Sequence, residues 1–423
     1  MRLPRRSTLL YLQNLMPFRT FFQDQKSYLA QLTAKERRLL TSFFLFGLAS
    51  PIFLVYTNTF LWRTSFNNST TVILYNLGIY TGLSLGFLLN AALLRYVTAR
   101  RLYSFACILQ GIVPIVLVAL VPSAQNIVVL LGLAFGISAG MYWANRNYFT
   151  SLMTRSAHQF SFFTLEQVLA TVASIIAPAA IGWLIVYGAH VGYQVSVALG
   201  FILLLASGIT ASNIMTSRAR QQSTHLLLRA ASKQWNALRR MDFFNGLMNA
   251  VDMTIPLFAA LTLVGMEDAI GTLQTISALA AALAAYVVGK KYAHTPRSMT
   301  LRVWLLIISL AGLVVTLHFT AWTIIFYTIV SGLMGPSRGA AINSILYKTI
   351  DNECNGDRSC YLLDREIFLN LGRVAMLAIL AYLTVLWPAA TVRIGFSAVI
   401  ILRVLFVLAA NTVDAGNTKR ITN

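Results

Sequence analysis

The feature that most constrains this chain is a series of apolar runs, most of twenty residues or more, separated by short polar breaks. Wound as an α-helix, such a run crosses a hydrocarbon layer of ~30 Å. Twelve runs are read, at 40–62, 71–94, 102–123, 127–153, 160–187, 192–214, 241–265, 269–289, 300–318, 322–347, 362–387 and 391–413. The chain is 57% hydrophobic and only 11% charged, against about 25% charged residues in a soluble domain. The expected class is an all-α membrane protein with twelve transmembrane helices.

Basic residues tend to stay on the cytoplasmic side of a membrane. With the N-terminus placed inside, almost every Lys and Arg falls in a cytoplasmic segment. Arg63 and Arg393 alone lie at outer ends, while Arg146, Arg338, Arg373 and Arg403 fall inside spans. The net charge of +20 then reads as topology and contact with anionic lipid, and nucleic acid need not be invoked. Trp62, Trp183, Trp322 and Trp387 sit at the outer ends, where an indole ring prefers the interface. The expected location is a bacterial inner membrane with both termini cytoplasmic. Residues 1–39 form a basic cytoplasmic segment without the apolar core and cleavage site of a signal peptide. Within it, "LLYLQNLMPF" reads as a membrane-surface helix or as part of a solvated tail. Cys107, Cys354 and Cys360 make no disulfide framework, and no His lies near the "CNGDRSC" loop to build a metal site.

The polar stretch 216–240 divides 40–215 from 241–413, leaving 414–423 as a tail. The halves repeat weakly. Gly136 and Asn147 match Gly332 and Asn343, Glu166 matches Glu366, and "FF" at 43–44 recurs at 243–244. Duplicated halves are frequent in transporters. Twelve spans as six plus six, with both ends inside and a basic linker, resemble the major facilitator superfamily. The superfamily's Gly-x-x-x-Asp-(Arg/Lys)-x-Gly-(Arg/Lys) signature is degenerate here. In "GFLLNAALLRYVTARR" Gly86 is kept, Asn90 replaces the Asp, and Arg95, Arg100 and Arg101 are displaced. The resemblance implies two six-helix bundles rocking about a central cavity lined by helices one, four, seven and ten. It also makes the twelfth helix peripheral.

An ionisable side chain inside a bilayer is costly and persists where it meets a partner or a wet cavity. Arg146 lies roughly 10 Å from the inner end of span four, and Glu166 roughly 9 Å into span five. The spans are consecutive and antiparallel, so the two residues are expected to pair. Tyr142, Trp143 and Asn145 beside them suggest a cavity wall, with Tyr142 one turn from Arg146, and Tyr75 and Tyr80 offer further stacking surfaces. In "MDFFNGLMNAVDMTIP", Asn245, Asn249, Asp252 and Pro256 share one helix face. Asp252, about 16 Å deep, is the candidate proton-coupling carboxylate, and Pro256 is expected to break the helix one turn later. Arg338 and Arg373 are the candidates to balance Asp252, with Glu366 near the inner rim. Arg403 finds no partner by this reasoning and reads as structural or snorkelling.

No P-loop, His-Glu-x-x-His or Gly-x-Ser-x-Gly motif is present, so neither an enzyme nor direct ATP drive is expected, and no cofactor. The sequence reads as a secondary active transporter, monomeric, moving a small anionic, zwitterionic or amphiphilic solute by alternating access with protons. An amphiphile exporter or lipid flippase is the alternative, and a non-transporting sensor or scaffold the distant one.

Overall fold

The computed structural model describes residues 29–120, 124–153, 159–213, 232–291, 297–353, 358–388 and 390–422. The "LLYLQNLMPF" segment, Cys354 and most of the 216–240 linker lie outside the described residues. Twelve long helices follow one another: α1 (Ala34–Thr64), α2 (Ser69–Leu93), α3 (Ala99–Ala119), α4 (Ala124–Met153), α5 (Gln159–Tyr187) and α6 (Gly192–Ser212), then α7 (Lys233–Leu263), α8 (Glu267–Lys291), α9 (Arg297–Leu317), α10 (Ala321–Glu353), α11 (Arg358–Leu386) and α12 (Thr391–Thr422). Among the described residues, eleven helices are long and apolar enough to cross a membrane. The exception, α10, is long enough but carries Gly332, Gly335, Pro336, Ser337 and Arg338 near its middle. The chain is a multi-pass membrane protein.

Local chemistry sets the helix starts. Thr33 and Glu36 form a reciprocal cap on α1, each side chain bonded to the other's backbone N–H. Ser232 accepts from the Trp235 N–H at 3.0 Å and starts α7. That start lies eight residues before the expected 241, so part of the presumed linker is helix. The presumed tail is helix too, because α12 continues to Thr422, and Cys360 stands in the first turn of α11 rather than in a loop. The α7–α8 turn needs Gly265, whose φ of +93° is costly for any residue with a Cβ.

The expected break at Pro256 does not occur, since α7 runs through it to Leu263. The irregularity is in α1, where a π-helical turn, Ile52–Tyr56, follows Pro51. Proline removes one ladder hydrogen bond, and the wider turn accommodates the loss. The Tyr56 hydroxyl at its end donates to the Pro178 carbonyl of α5.

Helices α2 and α4 meet in a glycine interlock. Gly78, Gly82 and Gly86 of α2 lie against the backbone of α4, and Gly132, Gly136 and Gly140 of α4 lie against that of α2. At each of the six positions a Cβ would collide with a main-chain carbonyl of the partner. Small residues at i and i+4 let helix backbones approach this way in membranes. The repeat-matched Gly332 sits against the Ser277 carbonyl of α8 in the equivalent place.

The main helix pairings repeat under a shift of six. The pairs α1–α5, α1–α6, α2–α4, α3–α4 and α3–α6 recur as α7–α11, α7–α12, α8–α10, α9–α10 and α9–α12. The crossing pair α5–α8 recurs as α11–α2. Helices α1 and α7 begin at one end of the molecule, the terminal end, and run toward the opposite, far end.

Candidate functional site

The α7 stripe meets α10 and α12 at mid-height. Asp252 Oδ1 accepts from Arg403 Nη2 at 2.6 Å, and its Oδ2 lies 3.5 Å from Arg338 Nη1. Arg403 also donates to the Tyr327 hydroxyl at 2.7 Å and to the Ile308 carbonyl at 3.3 Å. Arg338 is held at 2.8 Å by the side-chain oxygens of both Asn245 and Asn249. Its guanidinium carbon lies 4.9 Å from the centre of the Trp304 ring. Asp252 and Arg338 keep 20% and 18% side-chain exposure, whereas Arg403 has none. One carboxylate thus faces two guanidiniums, and the nearer of those is sealed.

Two expectations about this cluster need correction. Arg403 is the short-range partner of Asp252 and does not snorkel, because α12 packs directly on α7. Arg373 does not balance Asp252. It projects from α11 toward α2, donating to Asn370 Oδ1 at 2.9 Å and stacking over Tyr80 with 4.9 Å to the ring centre.

In the first half the expected pair forms, with Arg146 Nη2 2.7 Å from Glu166 Oε1. The guanidinium packs between Phe43 and Trp143, 4.7 Å from each ring centre. Tyr142 is not part of a cavity wall. It is fully buried and stacked on Phe46 at 3.7 Å. Tyr75 is fully buried and Tyr80 nearly so, so neither offers a free stacking face. Of these aromatics only Trp143 is exposed, at 36%. Asn145 donates to Asn90 at 2.6 Å, so the residue standing in place of the signature Asp ties α2 to α4.

Two further clusters escape a reading of the sequence. At the terminal end of α7, Arg239 grips Asp364 with two bonds of 2.7 and 2.8 Å, and the Trp235 indole N–H adds a third at 2.7 Å. Beside it Arg365 bonds Glu366 at 2.8 Å and lies 3.6 Å from Asp242. At the far end Glu267 bonds Arg63 at 3.0 Å and accepts from the Tyr193 hydroxyl at 2.8 Å, joining α1, α6 and α8. Trp62, expected at the interface, is instead buried there on Phe258 of α7, with 5.0 Å between ring centres. The bonds Thr70–Thr384 at 2.9 Å and Thr275–Ile175 at 2.7 Å and the ring contact Arg373–Tyr80 also join first-half to second-half helices. These links gather between mid-height and the far end.

No family model matches the sequence. The chain is 22% identical over 356 residues to the uncharacterised protein YqgE of Bacillus subtilis (strain 168), covering 82% of this chain and 81% of that one. Among solved structures, a bacterial homologue of the iron transporter ferroportin in an inward-facing state superposes with a TM-score of 0.68 at 10% identity, covering 90% of this chain and 99% of the other. A point mutant of the nucleoside transporter NupG gives 0.67 at 12% identity over 90% and 99%. A D-xylose-proton symporter gives 0.65 at 12% identity over 89% and 96%. The chain shares its fold with these solved membrane transporters. Within this fold, α7, α10 and α12 bring the two-arginine carboxylate together, while α4 and α5 carry the balanced pair.

Proposed function

We propose that this facilitator-fold chain is a secondary active transporter of a small organic solute bearing an anionic group. The reading has the terminal end in the cytoplasm of a bacterium, as the basic loops suggest. It divides the chain into six-helix halves, 40–215 and, beginning at the observed start of α7, 233–422. Among the described residues the links named above join the halves between mid-height and the far end, which suits one state of an alternating-access cycle.

The observation that carries the proposal is Asp252 shared between Arg403 and Arg338 at mid-height. An unbalanced positive charge in a low-dielectric site attracts an anion. Arg338 is the group to supply it, because its close partners Asn245 and Asn249 are neutral. Protonating Asp252 leaves Arg403 with Tyr327 and the Ile308 carbonyl, and removes the carboxylate that competes for Arg338. A proton and a solute anion would therefore bind together, which couples their movement. The reading is a transporter without a chemical step of its own.

The test is solute uptake by purified protein in liposomes with an imposed pH gradient, scanning carboxylates, phosphates and amphiphiles. Uptake of an anion that collapses with the gradient and is lost in Asp252→Asn supports the proposal. Gradient-driven uptake that persists in Asp252→Asn refutes the assignment. Lipid scrambling without solute uptake would select a flippase, and no flux at all a sensor or scaffold.

A further inference from the structure

The same face of α7 carries a second carboxylate. Asp242, Asn245, Asn249 and Asp252 follow one another at spacings of three, four and three, so acids stand at both ends of a stripe joined by asparagines. Asp242 is fully buried, and among the described residues neither carboxyl oxygen has a hydrogen-bond partner. One turn above it, Gly246 lies against the Leu369 carbonyl and Gly372, and Gly372 lies against the Phe243 carbonyl. This interlock presses α7 onto α11 and shuts Asp242 in.

From α11, Arg365 stands 3.6 Å from Asp242, and Glu366 and Arg373 act on it through space. Arg239 and Asp364, nearest on the terminal side, are closed on each other. From α10, Tyr347 acts on Arg365. The register of α12 on α7 is set by Gln234 bonded to the Val413 carbonyl and by Ile255 on Gly395. Interpolated between those two contacts, the level of Asp242 falls at about 405–408 of α12, a stretch with no titratable residue. Arg365 is thus the nearest cation, and it is engaged elsewhere. It bonds Glu366 through Nη1 at 2.8 Å, and its Nε stands 3.6 Å from Asp242 Oδ1, an ion-pair distance too long for a hydrogen bond. Arg373 Nε, on the other side, is buried and has no hydrogen-bond partner among the described residues.

We propose that Asp242 is a second proton-binding site, with Arg365 as a counter-charge that it shares with Glu366. A buried carboxylate that accepts no hydrogen bond is costlier than its neutral acid, so the arrangement with Arg365 bonded to Glu366 is assigned to the protonated state. Discharge breaks the Asp242 O–H bond and passes the proton to Glu366, while Arg365 moves from Glu366 to Asp242. The charge of the trio is unchanged, and Glu366, 18% exposed, releases the proton to water at the terminal end. The use made of that proton rests on the coupling reading above, but its binding at Asp242 does not.

The test is infrared titration of the purified full chain in lipid, which reads carboxylic acids directly and needs no substrate. A carboxylic-acid band that rises on acidification should be lost in Asp242→Asn and kept in Asp252→Asn. A spectrum of Asp242→Asn that superposes on the wild type overturns the proposal, whatever transport shows. Failure of the coupling reading would appear separately, as gradient-driven uptake persisting in Asp252→Asn. If Asp242→Asn does not fold, Glu366→Gln serves. With the competitor gone Arg365 closes on Asp242, and the band at fixed acidic pH should weaken about twofold or more; an unaltered band overturns the proposal.

Discussion

The two halves place charge inside the membrane in opposite ways. In the first, Arg146 and Glu166 form a one-to-one pair, both partly exposed and flanked by Phe43 and Trp143. In the second, Asp252 is divided between a sealed Arg403 and a partly exposed Arg338. A balanced pair is complete without a ligand and serves well to hold α4 to α5. An unbalanced trio responds to any added charge, whether a proton on the acid or an anion on the base. Related helix arrangements thus carry different charge balances, and the unbalanced one is in the second half.

The comparison is tested most sharply at the sealed arginine. Replacing Arg403 with Met leaves Asp252 without its 2.6 Å partner, and breaking a buried pair costs ~3–5 kcal/mol. Arg146→Met should cost about 2 kcal/mol. Thermal unfolding in detergent checks both, and equal losses would erase the distinction. Adding Asp252→Asn to Arg403→Met should restore much of the stability.

The next effect is on transport. Asp252→Asn should lower gradient-driven uptake ~100-fold or more with normal insertion, whereas Glu166→Gln should stay within about tenfold. A larger loss for Glu166→Gln would move the coupling site to the first half.

A smaller contrast concerns packing. Gly136→Ala places a methyl group into the Ile79 backbone and should destabilise by ~1–3 kcal/mol. Gly335→Ala and Gly339→Ala meet nothing within 4 Å, and should be neutral or gain up to about 1 kcal/mol of helix propensity. Unfolding midpoints compared across the three variants decide it.

The smallest expected effect is at the amide tether. Asn249→Ala removes one of the two 2.8 Å acceptors of Arg338 and should weaken solute affinity about tenfold, ~1.4 kcal/mol, without abolishing coupling. Binding that is unchanged would separate Arg338 from the solute.

What is legible in the sequence depends on how local each relation is. Arg146 and Glu166 are readable because consecutive antiparallel spans bring residues of similar depth together. The Asn245–Asn249–Asp252 stripe is readable from helical spacing alone. The partner of Asp252 is not, because Arg373 and Arg403 both lie about 15–16 Å from the inner ends of their spans, and depth cannot separate them. Only the packing of α12 on α7 decides for Arg403. Pro256 misleads because proline marks a potential break, while the neighbouring helices determine whether the helix opens there or, as in α1, elsewhere. The glycine rows at 78–82–86 and 132–136–140 stand plainly in the sequence, and their shared spacing of four is the signal for the α2–α4 interlock.

That interlock has a mechanical consequence. With main chain against main chain at six positions, there is no layer of side chains to shear, so α2 and α4 form a stiff double beam. One member meets α11 across the seam between the halves, and the other carries Arg146. Spin labels on the two should keep their separation through a transport cycle while either one swings against α10.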